Sequence, residues 1–352
     1  MKLYHLTVLS LLLLVSCSQA ATTDMPQWRW KEPEKKKDDP KEELYPQIVK
    51  QGWTNITELY AAIPEGLAIY RSPETLYGNP TIAYIAVAPL DKFTWDVAGI
   101  NDPKLSGTSD PLQTPSQFYA STSAVVILNG GYFFSSNGKN FNASVLVSEG
   151  ETMGVNINYS SVDWVTMYYP TRGVFYQDKG AEPAVGWTYW SGGAKHYLYS
   201  EPAMNSWESE PLQVPDASFP VTASDFAPVT AIGGGPVLVK DGLIVNSWEA
   251  ELLYGDGSDD KMPLAKHPRS AIGYTSDGLM ILFVCEGRGM TEGVYGMTFD
   301  DEAKVMQSLG CTEALNLDGG GSSCLLVNGQ ETIEVSDGAQ RAVSSVILIK
   351  AL

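Results

Sequence analysis

Nine short apolar runs, at 67–70, 81–88, 124–128, 144–147, 231–239, 270–274, 279–285, 325–327 and 343–349, set the fold class of this chain. They are rich in valine, isoleucine and tyrosine and have the length of strands rather than helices. Turn signals stand between several of them: Lys240-Asp241-Gly242, Ser276-Asp277-Gly278 and Asn328-Gly329. The last two predict hairpins. Helical periodicity is scarce. Thr298 followed by Asp300 and Asp301 reads as a helix cap; Ala303, Val305, Met306 and Leu309 give an apolar stripe, and Gly310 a stop. A second helix is expected from Thr114-Pro115 to about Ser121. The pattern predicts an α+β domain of extensive mixed or antiparallel sheets with few helices.

The N-terminus reads as an export signal. Lys2 precedes an apolar stretch at 6–15, too short to span a bilayer and of the length of a signal-peptide core. Leu14-Val15-Ser16-Cys17 resembles a bacterial lipoprotein processing site, which makes 1–16 the signal and Cys17 the acylated first residue. The alternative is cleavage nearer Ala20-Ala21, leaving a soluble secreted protein. Residues 17–43, with Lys35-Lys36-Lys37-Asp38-Asp39-Pro40 and little that packs, read as a disordered tether in which Trp28 and Trp30 are exceptions. Residues 44–352 remain for the folded domain, lipid-anchored in the bacterial cell envelope outside the cytoplasm. A formal charge of −18 argues against a nucleic-acid partner, since phosphate backbones need a basic surface.

Three further cysteines, Cys285, Cys311 and Cys324, allow at most one disulfide, and Cys311 and Cys324 read better as small buried hydrophobes. None has zinc-ligand spacing. Trp187-Thr188-Tyr189-Trp190, with Tyr197 and Tyr199, offers either a sugar-stacking surface or core strands, the latter favoured. The oxygen-rich run Asp256-Gly257-Ser258-Asp259-Asp260 lacks the calcium-loop pattern and reads as a solvated loop. Neither a metal nor a cofactor is expected.

Chemistry concentrates in Ala314-Leu315-Asn316-Leu317-Asp318-Gly319-Gly320-Gly321-Ser322-Ser323, where a buried strand ends in a carboxylate, three glycines and two hydroxyls. The glycines permit a sharp turn and close approach of backbone amides to a ligand. Asn129-Gly130-Gly131 ends an earlier strand in the same way, also after a helix, and the echo predicts two matching loops at one sheet rim forming a glycine-rich cleft. Three more clusters sit at strand ends: Gly233-Gly234-Gly235-Pro236, His267-Pro268-Arg269-Ser270 and Glu286-Gly287-Arg288.

In this order, Asn129-Gly130-Gly131-Tyr132-Phe133, the Gly233 and His267 clusters and the Asp318 loop resemble the phosphodiester glycosidase family, across roughly 64 to the C-terminus. The resemblance implies hydrolysis of a sugar-1-phosphodiester on the sugar side of phosphate, releasing a free, N-acetylglucosamine-like sugar and a phosphomonoester from a phosphate-linked glycan. Carried over by motif, Asn129, Arg269, Asp318, Ser322, Ser323 and Arg341 line the shared pocket. Where relatives usually carry Asp-Gly, this chain has Glu286-Gly287. Asp318 and Glu286 are then the carboxylates for an oxocarbenium-like transition state. Arg269 supplies a fork for two phosphate oxygens, and the amides of Gly319, Gly320, Gly321, Gly130 and Gly131 bind the same oxygens. His267 and Arg288 complete the substrate-binding set. Two rival functions stand beside this one: a non-catalytic glycan-binding lipoprotein, and a phosphodiesterase cutting P–O. The second usually recruits metals through clustered histidines, and only His196 and His267 follow the leader.

Overall fold

The apolar runs pair with one another as antiparallel ladders and stack into three sheets. The computed structural model describes residues 43–193, 195–253 and 264–352. Cys17, Trp28, Trp30 and the 256–260 run therefore lie outside the described residues. The eight-stranded sheet runs in the order Thr54–Asn55, Ala68–Arg71, Ala83–Pro89, Leu279–Cys285, Arg269–Thr275, Cys311–Asn316, Val237–Lys240, Leu243–Ile244. A seven-stranded sheet is built around Leu146–Ser148, Thr230–Gly233, Arg172–Gln177 and Ala184–Trp190. A five-stranded sheet runs Gln330–Glu331, Leu325–Val327, Val126–Asn129, Ser345–Ala351, Phe93–Gly99. The chain is mostly β-sheet with few helices, and both hairpins fall at the expected turns.

The two expected helices form because their caps are complete. Thr298 accepts from the Asp301 amide at 3.1 Å while Asp301 accepts from the Thr298 amide, and Thr114 and Gln117 reciprocate in the same way. The helix Phe299–Ser308 buries Phe299, Ala303, Val305 and Met306 against the eight-stranded sheet. Pro115–Ser121 buries Phe118 against the five-stranded one.

Two expectations need correction. The run 231–239 is not one strand. It splits at Gly234-Gly235, with Thr230–Gly233 in the seven-stranded sheet and Val237–Lys240 in the eight-stranded one. The Gly234 amide donates to the Gly173 carbonyl at 3.1 Å and that of Gly235 to the Asn316 carbonyl at 2.8 Å, so consecutive residues join different sheets. Gly235, at φ +137°, adopts a backbone that side-chain-bearing residues rarely do. The strands Val126–Asn129 and Cys311–Asn316, expected to end at one sheet rim, belong to different sheets whose ends meet. Trp187, Tyr189 and Tyr199 are buried, so that aromatic run is core, and the three described cysteines are buried free thiols.

The seam between the two larger sheets is held by a carboxylate that the sequence did not mark. Glu251 is fully buried, and its Oε1 accepts from the Trp187 indole at 3.1 Å, the Val237 amide at 3.1 Å and the Ser247 hydroxyl at 2.5 Å. Its Oε2 accepts from the Gly173 amide at 2.8 Å, and the Arg172 guanidinium donates to its carbonyl. Burial raises its pKa, while the Ser247, Gly173 and Val237 donors and Arg172 oppose that rise. Glu251→Ala strands these donors and the Arg172 charge in a dry interior. It should lower the unfolding free energy by roughly 3–5 kcal/mol, read from a denaturant midpoint. A loss under 1 kcal/mol would contradict this role.

Candidate active site

Antiparallel register brings the chemistry-bearing ends together. Arg269 opens its strand opposite Cys285, the residue before Glu286, and Ala271 pairs with Asn316, two residues before Asp318. The Asp318 loop is stitched across both sheets: the Leu317 amide donates to Ser270 at 2.8 Å, that of Asp318 to Gly130 at 3.1 Å, and that of Gly320 to Pro268 at 2.9 Å. Asn129, wholly buried, donates from Nδ2 to the Asp318 carbonyl at 2.6 Å. Its Oδ1 accepts from the Ser270 hydroxyl at 2.7 Å and the Cys324 amide at 3.2 Å. It fixes the loop and does not reach the cavity.

A cavity of ≈ 280 Å³ opens above this junction, lined by Tyr132, His267, Arg269, Arg288, Asp318, Gly319, Gly320 and Arg341. Burial pushes the Asp318 carboxyl up to about 6, while the Ser322 hydroxyl, Arg341, the Gly319 amide and Arg288 pull it down. Ser322 is buried behind it and accepts from Arg341 Nη1 at 3.3 Å. Asp337 holds two arginines at the opening: Arg341 Nε at 2.9 Å and Nη2 at 2.7 Å, and Arg288 Nη1 at 3.6 Å. A Cβ at Gly320 would stand 2.6 Å from Arg288 Nη2, and one at Gly321 would overlap both Arg341 and Asp337. Gly320 also lies at φ +60°, a backbone that side-chain-bearing residues rarely adopt.

The anion-binding parts differ from the sequence expectation. The amide of Gly130 donates to Ser345, that of Gly320 to Pro268, and that of Gly319 to the Asp318 carboxylate, so these three are occupied within the protein. Arg269 lies at the cavity wall, but its Nε donates to the Met297 carbonyl at 2.9 Å and its Nη2 to Ala265 at 3.1 Å. Its guanidinium sits 3.9 Å over the Phe299 ring. Behind it, Glu302 is fully buried, and burial holds its carboxyl up to about 8, with Arg269 pulling it back down. Glu302 is thus mostly neutral at pH 7. Arg288 and Arg341, partly exposed at the opening, are the cations that face solvent.

Glu286 is not at the cavity. It is buried, with Oε1 accepting from the Thr291 amide at 2.8 Å and Oε2 from the Glu334 amide at 3.3 Å. Gly131 and Ser323 are also buried outside the lining. Tyr132, quoted in its motif without a role, lines the wall and donates to the Gly235 carbonyl at 2.8 Å. Burial and the nearby Asp318 charge push its phenol up, so it stays a donor. Asp337 was equally unmarked; its one sequence signal is a position four residues before Arg341. Among the described residues, no three His, Cys, Asp or Glu side chains gather as a metal site.

The phosphodiester glycosidase family model matches residues 122–350. An uncharacterized protein of the SPbeta prophage of Bacillus subtilis (strain 168) is 42% identical over 84 residues, which are 24% of this chain and 13% of that protein. Among solved structures, the catalytic domain of zebrafish N-acetylglucosamine-1-phosphodiester alpha-N-acetylglucosaminidase superposes with a TM-score of 0.53 at 21% identity. That match covers 83% of this chain and 85% of the zebrafish one. A hypothetical protein from Synechocystis gives 0.52 at 17%, covering 82% of this chain and 64% of that one. At these identities the structural likeness is one of fold.

The Asp318 carboxyl ionises near 3.8 when free and near 6 in the folded chain, so the native state binds the extra proton between those values. Its ionisation therefore destabilises the fold increasingly from about pH 4, and fully above about pH 6. Asp318→Asn should raise Tm above pH 7, by no more than about 3 kcal/mol of stability, with the gain shrinking toward pH 4. A variant destabilised equally at pH 4 and pH 8 would contradict this. Steps that need the carboxylate should accelerate through pH 6 in kcat/KM.

Proposed function

Because the chain belongs to the phosphodiester glycosidase family, we propose that it hydrolyses a sugar-1-phosphodiester at the anomeric C–O bond. The products are a free, N-acetylglucosamine-like sugar and a phosphomonoester. One observation carries this reading: the Asp318 carboxyl, raised to about 6, faces a cavity whose opening is flanked by Arg288 and Arg341. A carboxylate in a partly desolvated pocket stabilises or attacks an anomeric carbon gaining positive charge. Two guanidinium groups beside it hold the phosphate and stabilise the negative charge it gains as the C–O bond breaks. Arg269 adds a fixed positive charge from the wall.

A phosphomonoester leaves without full protonation, so a general acid is not required. That fits a cavity with Asp318 as its sole lining carboxylate among the described residues. Ser322 and the Gly319 amide orient Asp318 and keep it from rising further. Tyr132 and His267 stand at the wall where sugar hydroxyls would lie. Hydrolysis in ¹⁸O-water should place the label in the released sugar. Label in the phosphomonoester would mean P–O cleavage, and binding without any product would mean a glycan-binding protein.

The leader at 1–16 and Cys17 support action in the cell envelope on a phosphate-linked glycan. Cys17→Ala should abolish fatty-acid labelling of the protein; persistent labelling would sink the anchor.

A further inference from the structure

Glu286 sits at the cavity's edge in sequence and away from it in space, and its two oxygens serve two different loops. Oε1 accepts from Thr291, in the loop that follows the strand Leu279–Cys285 and carries Arg288. Oε2 accepts from Glu334, in the segment that leads to Asp337 and Arg341. The carboxylate is 2% exposed, and its own amide is tied to the Ile82 carbonyl at 2.9 Å. Beside it the Tyr84 hydroxyl, hydrogen-bonded to Arg71, feels its charge.

The first loop is otherwise held within itself and by the bridge between His267 and Met297, and the second also through Gln340, whose Oε1 accepts from the Ser116 amide at 2.8 Å and whose Nε2 donates to the Ser116 hydroxyl at 2.7 Å. In the first, the Arg288 amide donates to Tyr295 at 3.2 Å and that of Gly289 to Val294 at 2.8 Å. Arg288 itself lies at φ +59°, in the left-handed region that a non-glycine residue enters only where its surroundings impose it. In the second, the Gly338 amide donates to Val335 at 3.0 Å. Above Glu286, the loops meet again where Asp337 stands between Arg288 and Arg341. One carboxylate thus joins the two loops through their backbone amides and another through their arginines.

We propose that Glu286 is a positioning residue that sets the spacing of Arg288 and Arg341 and thereby the affinity of the site for the substrate's phosphate. Because the two N–H donors come from separate loops, one to each oxygen, a glutamine would keep one acceptor and present an NH₂ to the other donor. Aspartate keeps both acceptors and gives up one methylene of reach, so it should retain more of the function than glutamine does. A group acting on the anomeric carbon would show the opposite signature, a fall in kcat with phosphate affinity intact.

The inference rests on the reading that the arginine pair holds phosphate, so the test reads binding without turnover. Inorganic phosphate is titrated calorimetrically into the full chain, wild type, Glu286→Gln and Glu286→Asp, with KM, kcat and Tm measured on the same preparations. Glu286→Gln should weaken phosphate about tenfold and raise KM in parallel, with kcat within about threefold; Glu286→Asp should fall between. A kcat loss of 100-fold at unchanged phosphate affinity makes Glu286 a chemical participant and overturns the proposal. A lower Tm with unchanged phosphate affinity and KM makes it a purely structural brace, which also overturns it. Should Glu286→Gln fail to fold, Glu286→Asp carries the same comparison. Wild-type protein that binds phosphate yet hydrolyses nothing would refute the proposed reaction and leave this role standing. Absence of phosphate binding would refute both.

Discussion

One buried amide holds the site together. Asn129 donates to the Asp318 carbonyl and accepts from Ser270 and Cys324, so a single side chain from the five-stranded sheet links two segments of the eight-stranded one to the start of its own neighbouring strand Leu325–Val327. A buried amide with fewer partners costs roughly 1–3 kcal/mol per missing bond, and so it enforces the one arrangement in which its oxygen and nitrogen are both used. That arrangement delivers Asp318 to the cavity. With the loop fixed at its backbone, the carboxylate cannot retreat from a partly desolvated position, and its raised pKa follows.

The same economy governs the positive charges. The amides of Gly130 and Gly320 are spent on neighbouring segments, and that of Gly319 on the Asp318 carboxylate. Arg288 and Arg341 remain as the partly exposed cations at the opening, with their guanidinium groups packed next to Gly320 and Gly321. Asp337 pairs with both arginines and leaves them partly exposed. Arg269 stacks on Phe299 at the cavity wall, beside a mostly neutral Glu302. Buried ionisable groups of this kind lower stability and are retained where their charge has a use.

Much of the framework was legible from local chemistry. Thr298 and Asp301, and Thr114 and Gln117, cap their helices within a few residues, so no tertiary knowledge was needed. The turns at 276–278 and 328–329 announced their hairpins for the same reason. The Asp318 loop stood out because a carboxylate and three glycines at a strand end have few uses. What escaped was what depends on which strands meet. Gly234-Gly235 reads as a kink within one strand until the amides on either side are seen to join separate sheets. Glu251 looks like an ordinary polar residue until the sheets close around it, and Asn129, expected to line the pocket, anchors the Asp318 loop from behind instead. Glu286 reads as a catalytic carboxylate because it and Asp318 are the carboxylates within the motif loops; only the fold reveals that its oxygens face Thr291 and Glu334.

The central claim is that the charge of Asp318 acts on the anomeric carbon while the arginines hold the phosphate. Single-turnover rate and substrate Kd for Asp318→Asn, measured together at pH 8, test it most directly. Removing the charge from an isosteric side chain should slow the chemical step by at least about 10²-fold and leave Kd within a few-fold of wild type. A folded Asp318→Asn protein that turns over at the wild-type rate, or one that loses affinity and rate in equal measure through binding alone, would contradict it.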